Sequence, residues 1–281
     1  MSASRSVPET AAAMDSTTPS DGSEPELLYR VSDGVATLSI NRPERRNALS
    51  WEVVEGLRAR VAEARTDTGV RVLVLTGTGD RAFCAGADLT GMRADAGHAE
   101  LHEARGELAG LFEDLWNLGK PTIARVRGYC LAGGFGLALS CDLVVAADDA
   151  TFGTPEIDVG LWPFMITVPL CRSMPPKRAL ELMMTGRRID ADEADRLGIL
   201  SRLVPADELD AAVHELATTL ASKSPAVMRL GRDSFYSAWD QSAADALRLL
   251  HPMLTVATEL DDAAEGIAAF TQKRPPVWQG R

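Results

Sequence analysis

GYCLAGGFGL, residues 128–137, is the stretch that decides the fold of this chain. It begins as an apolar strand and ends as a helix, and small residues (Ala132, Gly133 and Gly134) form the turn between them. Backbone amides at the start of a helix have no partner within the helix and favour an anion. The stretch therefore predicts a strand–turn–helix unit whose main chain stabilises a developing negative charge.

Two further stretches extend this pattern. Phe83–Asp88 (FCAGAD) supplies a second turn of small residues, and Phe152–Ile157 (FGTPEI) places Glu156 after a proline in an apolar neighbourhood. Thioester chemistry at the α-carbon passes through an enolate, and each backbone amide aimed at its oxygen contributes about 2.7–4 kcal/mol. Partial burial would raise the pKa of Glu156 toward the working pH, which suits a proton carrier.

Together the three stretches resemble the active site of the enoyl-CoA hydratase/isomerase (crotonase) superfamily, and the resemblance covers about residues 25–281. It implies an α/β fold of the ClpP/crotonase-like type, a superhelix of ββα units with a helical C-terminal trimerisation region. It also implies that the amides of Ala87 and Gly133 stabilise the enolate and that Glu156 is the acid/base. We expect a homotrimer or hexamer, an acyl-CoA substrate, and no cofactor beyond the CoA that the substrate carries.

The resemblance also identifies residues that contact the substrate. They are Arg45, Arg46, Ala48, Ala85, Asp88, Leu89, Trp162, Phe164, Phe270 and Lys273. The basic loop would bind the CoA phosphates, the aromatic residues after Glu156 would line the acyl pocket, and the C-terminal pair would approach the CoA of a neighbouring subunit. A turn or a helix cap explains Asp88 better than catalysis, and a solvated loop is the alternative interpretation of the two arginines.

Gly136 departs from the family pattern, because hydratases of the family usually carry a glutamate there. Adding water to a 2-enoyl thioester needs a base for the water and an acid for the α-carbon, whereas a lone carboxylate can move a proton between two carbons. Hydration and 3-enoyl to 2-enoyl isomerisation both stay open, as does a non-catalytic acyl-CoA-binding protein. The bulky Phe164 and Met165 would narrow the acyl pocket, crowd the water site or merely repack the core.

Composition limits the function further. The net charge of −11 argues against a general nucleic-acid surface, and no apolar run reaches the ~18 residues of a membrane-spanning helix. The four cysteines have no metal-ligand spacing, so we expect buried, reduced thiols, no metal site and a cytoplasmic protein. A Cys84 or Cys130 nucleophile lacks a partner histidine motif. We expect a disordered leader over 1–24, the α/β core over 25–205 and a helical region over 206–281.

Overall fold

The computed structural model describes residues 25–88 and 97–281, which form helices and two sheets. The strands are β1 (Leu27–Ser32), β2 (Val35–Ile40), β3 (Val72–Gly77), β4 (Ala82–Cys84), β5 (Thr122–Val126), β6 (Tyr129–Leu131), β7 (Leu143–Ala147), β8 (Thr151–Gly153), β9 (Arg188–Asp190) and β10 (Arg202–Val204). The helices are α1 (Trp51–Thr66), α2 (His98–Trp116), α3 (Gly133–Leu139), α4 (Thr167–Ser173), α5 (Pro176–Thr185), α6 (Ala191–Arg196), α7 (Leu209–Ala221), α8 (Pro225–Trp239), α9 (Ala243–Thr258) and α10 (Asp261–Gln272).

The first sheet has the order β1-β2-β3-β5-β7-β10, with β1 antiparallel to β2 and the other pairs parallel. A turn at Asp33 and Gly34, both with positive φ, closes the hairpin of β1 and β2. Alternate residues of β2 are buried, whereas every residue of β3 is buried. β3 is therefore a central strand covered on both faces, as its continuous apolar sequence predicts.

The second sheet is smaller and has the order β4-β6-β8-β9, with only β9 antiparallel to its neighbour. The Phe152 ring on β8 packs on the Phe135 ring of α3, with the ring centroids 5.4 Å apart. The Gly- and Asp-rich sequence of residues 77–91 predicts a loop, but β4 lies within this stretch. A strand of three residues is too short to show the alternation by which sequence reveals a strand.

Helices follow the last strand. α7 packs on the first sheet through Leu209, Val213 and Ala217, so the helical C-terminal part begins as a layer of the core. The sequence predicts helix over Ala243–Phe270, but a break at residues 259–260 divides this stretch into α9 and α10. No helix in the described part of the chain is long and apolar enough to cross a membrane.

A buried arginine joins α8 to the core. The Arg232 guanidinium lies 2.8 Å from the Asp142 carboxylate and donates hydrogen bonds to the carbonyl oxygens of Leu115 and Trp116. These are the last carbonyls of α2, which have no partner within their own helix. The bonds fix α8 against the end of α2 and against the start of β7.

Candidate active site

The second sheet brings the three motifs of the sequence together. β4, β6 and β8 are adjacent and parallel, so their carboxyl ends lie along one edge. Those ends lead into residues 85–88, 132–134 and 154–156. The Ala132 amide donates to the Gly153 carbonyl oxygen at 2.9 Å, which joins the second and third of these loops directly. One edge of the small sheet therefore carries every residue that we expected to be catalytic.

The first two loops lie against each other at Gly86. Its φ of +100° suits glycine, and a Cβ at this position would lie 2.6 Å from the Ala132 Cβ and 3.6 Å from the Gly133 nitrogen. Because the Ala87 nitrogen is three bonds from that Cβ position, the Ala87 and Gly133 nitrogens are at most about 7 Å apart. Neither amide has a hydrogen-bond partner among the described residues. That both hydrogens point at one oxygen stays a prediction.

Ala132 provides the turn that starts α3. Its φ of 52° and ψ of −130° lie in a region that favours glycine, and the residue nevertheless carries a methyl group. Such a conformation costs on the order of 1–3 kcal/mol and persists only where surrounding contacts hold it. The contacts here are the hydrogen bond to Gly153 and the packing on Gly86. The strain places the free amides of α3 at the edge of the sheet.

A network inside residues 42–49 fixes the loop of Ala87. The buried Asn47 accepts a hydrogen bond from the Arg42 amide and donates to the Thr78 and Ala82 carbonyl oxygens. The buried Arg42 guanidinium lies 2.8 Å from the Asp88 carboxylate. Arg42 thus belongs to the scaffold, and Asp88 has a structural partner. Apart from its place in the matched loop, no pattern in the sequence indicates this role of Asn47.

The other predicted contacts of the basic loop lie near this network. The Ala48 carbonyl oxygen accepts from Arg42 and the Ala85 amide donates to the Arg46 carbonyl oxygen. Arg45 and Arg46 are exposed, and the Arg46 guanidinium carbon lies 5.7 Å from the centroid of the Tyr129 ring. Leu89 lies outside the described residues.

Glu156 is the second residue of the short 3₁₀ segment Pro155–Val159 after β8. Its Oε2 is buried and has no hydrogen-bond partner among the described residues. Burial raises the pKa of Glu156 from its ordinary 4.5 to about 6, while a hydrogen bond from its own backbone acts in the opposite direction. A carboxyl with this pKa both accepts and releases a proton near neutral pH.

Gly136 lies opposite an apolar wall. A Cβ at this position would lie 2.2 Å from Ile166 Cγ2 and 3.0 Å from Phe112 Cζ. Phe164, which the sequence offered as one way to crowd the water site, does not fill this place, because its side chain is 75% exposed. Ile166 faces inward and Trp162 packs partly against the same core, whereas Phe164 between them faces outward. The apolar wall therefore belongs to the core and not to the bulky residues that the sequence suggested.

The C-terminal candidates face away from the core of their own chain. The Phe270 side chain is 87% exposed, and Lys273 is the exposed left-handed residue that ends α10. The structure describes one chain, so contact of this pair with a neighbour's CoA stays a prediction.

The cysteines show why a thiol nucleophile is disfavoured. Burial raises the pKa of Cys84 to about 12 and holds the pKa of Cys130 well above its usual range. A buried thiol with a raised pKa is a poor nucleophile. Cys141 is buried as expected, but Cys171 on α4 is exposed, which corrects the expectation that all four thiols are buried.

Comparison with known proteins places this site in context. Residues 30–281 match the family model described as enoyl-CoA hydratase/isomerase. The probable enoyl-CoA hydratase echA8 of Mycobacterium tuberculosis is 36% identical over 260 residues, covering 91% of this chain and 98% of the relative. The mitochondrial enoyl-CoA hydratase domain-containing protein 3 of Homo sapiens is 34% identical over 252 residues, covering 89% of this chain and 82% of the relative.

Solved structures of enoyl-CoA hydratases and of a protein with an enoyl-CoA hydratase domain have the same fold as this chain. The crystal structure of human enoyl-CoA hydratase domain-containing protein 3 superposes with a TM-score of 0.87 at 33% identity and covers 90% of this chain and 100% of that one. The crystal structure of an enoyl-CoA hydratase of Mycobacterium smegmatis superposes with a TM-score of 0.87 at 34% identity. It covers 91% of this chain and 99% of that one.

Proposed function

The chain belongs to the enoyl-CoA hydratase/isomerase family and has the crotonase fold, and from that premise we propose that it isomerises a 3-enoyl-CoA to a 2-enoyl-CoA. The Glu156 carboxylate removes a proton from C2 of the 3-enoyl thioester. The electron pair moves onto the thioester oxygen, where the Ala87 and Gly133 amides stabilise the dienolate. The carboxyl group of Glu156 then gives its proton to C4, the double bond forms between C2 and C3, and the carboxylate is restored.

One observation carries this choice of reaction. The space beside Gly136, where a second carboxylate would have to stand, is filled by Ile166 and Phe112. A double-bond shift needs one group that takes and returns a proton, and Glu156 has the burial and the pKa for both steps. No second titratable group is required, and no further cofactor takes part in the reaction as proposed.

Hydration of a 2-enoyl-CoA is the second candidate, because the relatives carry the name enoyl-CoA hydratase. In that reaction Glu156 would have to take a proton from the water and also give a proton to the α-carbon. Otherwise another acid would have to protonate the α-carbon. A non-catalytic acyl-CoA-binding protein is the alternative from another class. It predicts that Glu156→Gln changes neither turnover nor CoA binding.

The arrangement of the substrate follows from the same premise. The exposed Arg45 and Arg46 lie on the loop that is joined to Ala85–Asp88, so they would bind the CoA phosphates while the thioester reaches the oxyanion site. Trp162 would lie along the acyl chain. Phe270 and Lys273 would reach the CoA of a neighbouring subunit in a trimer or hexamer.

The test is to incubate the protein separately with 2-enoyl-CoA and 3-enoyl-CoA in heavy water and to locate deuterium and any added hydroxyl by mass spectrometry. Isomerisation gives 2-enoyl-CoA from the 3-enoyl substrate, with deuterium at C4 to the extent that Glu156 exchanges its proton with solvent. A hydroxyl at C3 as the main product from 2-enoyl-CoA would overturn isomerisation in favour of hydration. No turnover of either, with CoA still bound, would favour the binding protein.

A further inference from the structure

Thr154 carries a buried hydroxyl that the fold does not use. The residue is 0% exposed, and its Oγ1 has no hydrogen-bond partner among the described residues. It stands at the N-cap of the 3₁₀ segment Pro155–Val159, where a threonine side chain commonly accepts a backbone hydrogen bond, yet it makes none. Capping therefore does not explain the hydroxyl.

Two neighbouring contacts place Thr154 at the candidate site. The Gly153 carbonyl oxygen, directly before it, accepts the Ala132 amide, so Thr154 follows the strand end that is bonded to the oxyanion turn. Two residues earlier the Phe152 ring packs on Phe135 of α3. Because side chains alternate along a strand, we expect Thr154 to face α3 on the same side as Phe152.

A second buried polar atom that lacks a partner in the described part of the chain belongs to Glu156, two residues after Thr154. Glu156 Oε2 is also buried and without a partner among the described residues. The two oxygens are not bonded to each other directly. Gly136 offers no side chain to either of them, and Ile166 and Phe112 beside it are apolar. Leaving a buried hydroxyl unpaired is unfavourable, and a valine of similar shape would avoid that penalty.

We propose that Thr154 is a positioning residue for Glu156, and that one water molecule bridges the Thr154 hydroxyl and Glu156 Oε2. The hydroxyl donates to the water, and the water donates to the carboxylate oxygen, so both side-chain oxygens that lack a partner among the described residues gain one. The bridge holds the carboxylate in one orientation in place of the polar side chain that residue 136 lacks. This role rests on the proposed function of Glu156 and holds for isomerisation and for hydration.

The first test does not depend on turnover. Glutamate labelled with ¹³C at the carboxyl carbon reports the pKa of Glu156 by NMR, and Glu156→Gln assigns the signal. Thr154→Val removes the hydroxyl that holds the water donating to the carboxylate, so we expect the pKa of Glu156 to rise by about 0.5–1 unit, while Thr154→Ser keeps it near the wild-type value. Thr76→Val is the matched control, since Thr76 is also buried but donates to the Arg125 carbonyl oxygen in the first sheet. It should leave the pKa of Glu156 unchanged.

The second test uses activity and stability. We expect Thr154→Val to lower kcat about 10-fold with little change in KM, to shift the pH profile upward, and to melt at or above the wild-type temperature. Thr154→Ser should restore the rate. An unchanged pKa of Glu156 in Thr154→Val would overturn the positioning role and leave Thr154 a core residue. A shifted pKa in a protein that turns over neither enoyl-CoA would instead uphold the positioning role and overturn the proposed function.

Discussion

Ile166 occupies the space that a side chain at Gly136 would enter: a Cβ on residue 136 would lie 2.2 Å from Ile166 Cγ2. Real Cβ atoms essentially never show such a contact, so Ile166 in this position requires a glycine at 136. Restoring a second carboxylate at this place therefore requires changes at two residues or more, and not a single substitution. Gly136→Glu alone cannot restore a two-carboxylate site. A pair such as Gly136→Glu with Ile166→Ala is the smallest change that makes room for one.

Gly136→Ala tests this relationship directly. Because an extra methyl group in a closed core forces its neighbours to shift, we expect it to lower the free energy of unfolding by about 1–3 kcal/mol. Urea denaturation measures the change. Gly106→Ala is the matched control on α2, where a Cβ meets nothing within 4 Å and helix propensity favours alanine. Combining Gly136→Ala with Ile166→Ala should cost less than the sum of the two single changes, and strict additivity would contradict the contact.

Glu156→Gln should separate function from stability. The raised pKa of Glu156 means that the folded protein binds this proton more tightly than the unfolded chain, so the group lowers stability as pH rises from 4.5 through about 6. Glutamine removes that penalty. We expect the variant to be more stable than wild type by about 1 kcal/mol at pH 8, allowing for partial exposure, and to gain nothing near pH 4.

In Glu156→Gln the rate of proton exchange at carbon should fall at least ~10²-fold, while the affinity for CoA stays the same. In the wild type, proton abstraction should rise with pH through about 6 as the carboxylate forms. Isotope exchange and calorimetric CoA titration measure the two quantities. Asp158→Asn removes an exposed carboxylate two residues away and serves as the control. Equal losses in both variants would argue against a specific role for Glu156.

Assembly is expected from the surface of the last two helices. Leu247, Leu254, Ile267 and Phe270 are each at least 69% exposed, and large apolar surfaces of this kind mark interfaces. We expect a trimer or a dimer of trimers in sedimentation at micromolar concentration. Phe270→Ser should weaken assembly, whereas Val31→Ser, an exposed apolar position on β1, should not. A monomeric wild type would remove the reason to place Phe270 and Lys273 beside a neighbour's CoA.

Two arginines of one loop should behave differently. Arg42→Met leaves the Asp88 carboxylate buried without its guanidinium, so we expect a loss of about 3–5 kcal/mol in stability. Arg46→Gln changes an exposed side chain and should weaken CoA binding with little effect on stability. Thermal unfolding and CoA titration distinguish the two. Weakened CoA binding in a fully stable Arg42→Met would show that Arg42 contacts the ligand instead of bracing the loop.

Much of the fold follows from local sequence. The buried run of β3, the alternation in β2, the Ser50 cap that accepts the Val53 amide at the start of α1, and the small residues at the start of α3 depend on neighbours in the chain. The motif around Glu156 likewise predicted an isolated carboxyl, and its raised pKa follows from burial in that apolar neighbourhood. These features were open to prediction because backbone propensity and side-chain period act over a few residues.

The sequence by itself determined that a glycine stands at 136 and that one glutamate follows Pro155, which limits the proton chemistry. Only the tertiary structure decided what fills the space beside that glycine, that Arg42 braces Asp88, and that the Thr154 hydroxyl is buried without a partner among the described residues. The physical reason is distance along the chain. Ile166 and Phe112 meet Gly136 from segments about thirty residues after it and about two dozen before it, and close packing between such segments leaves no pattern in either one alone.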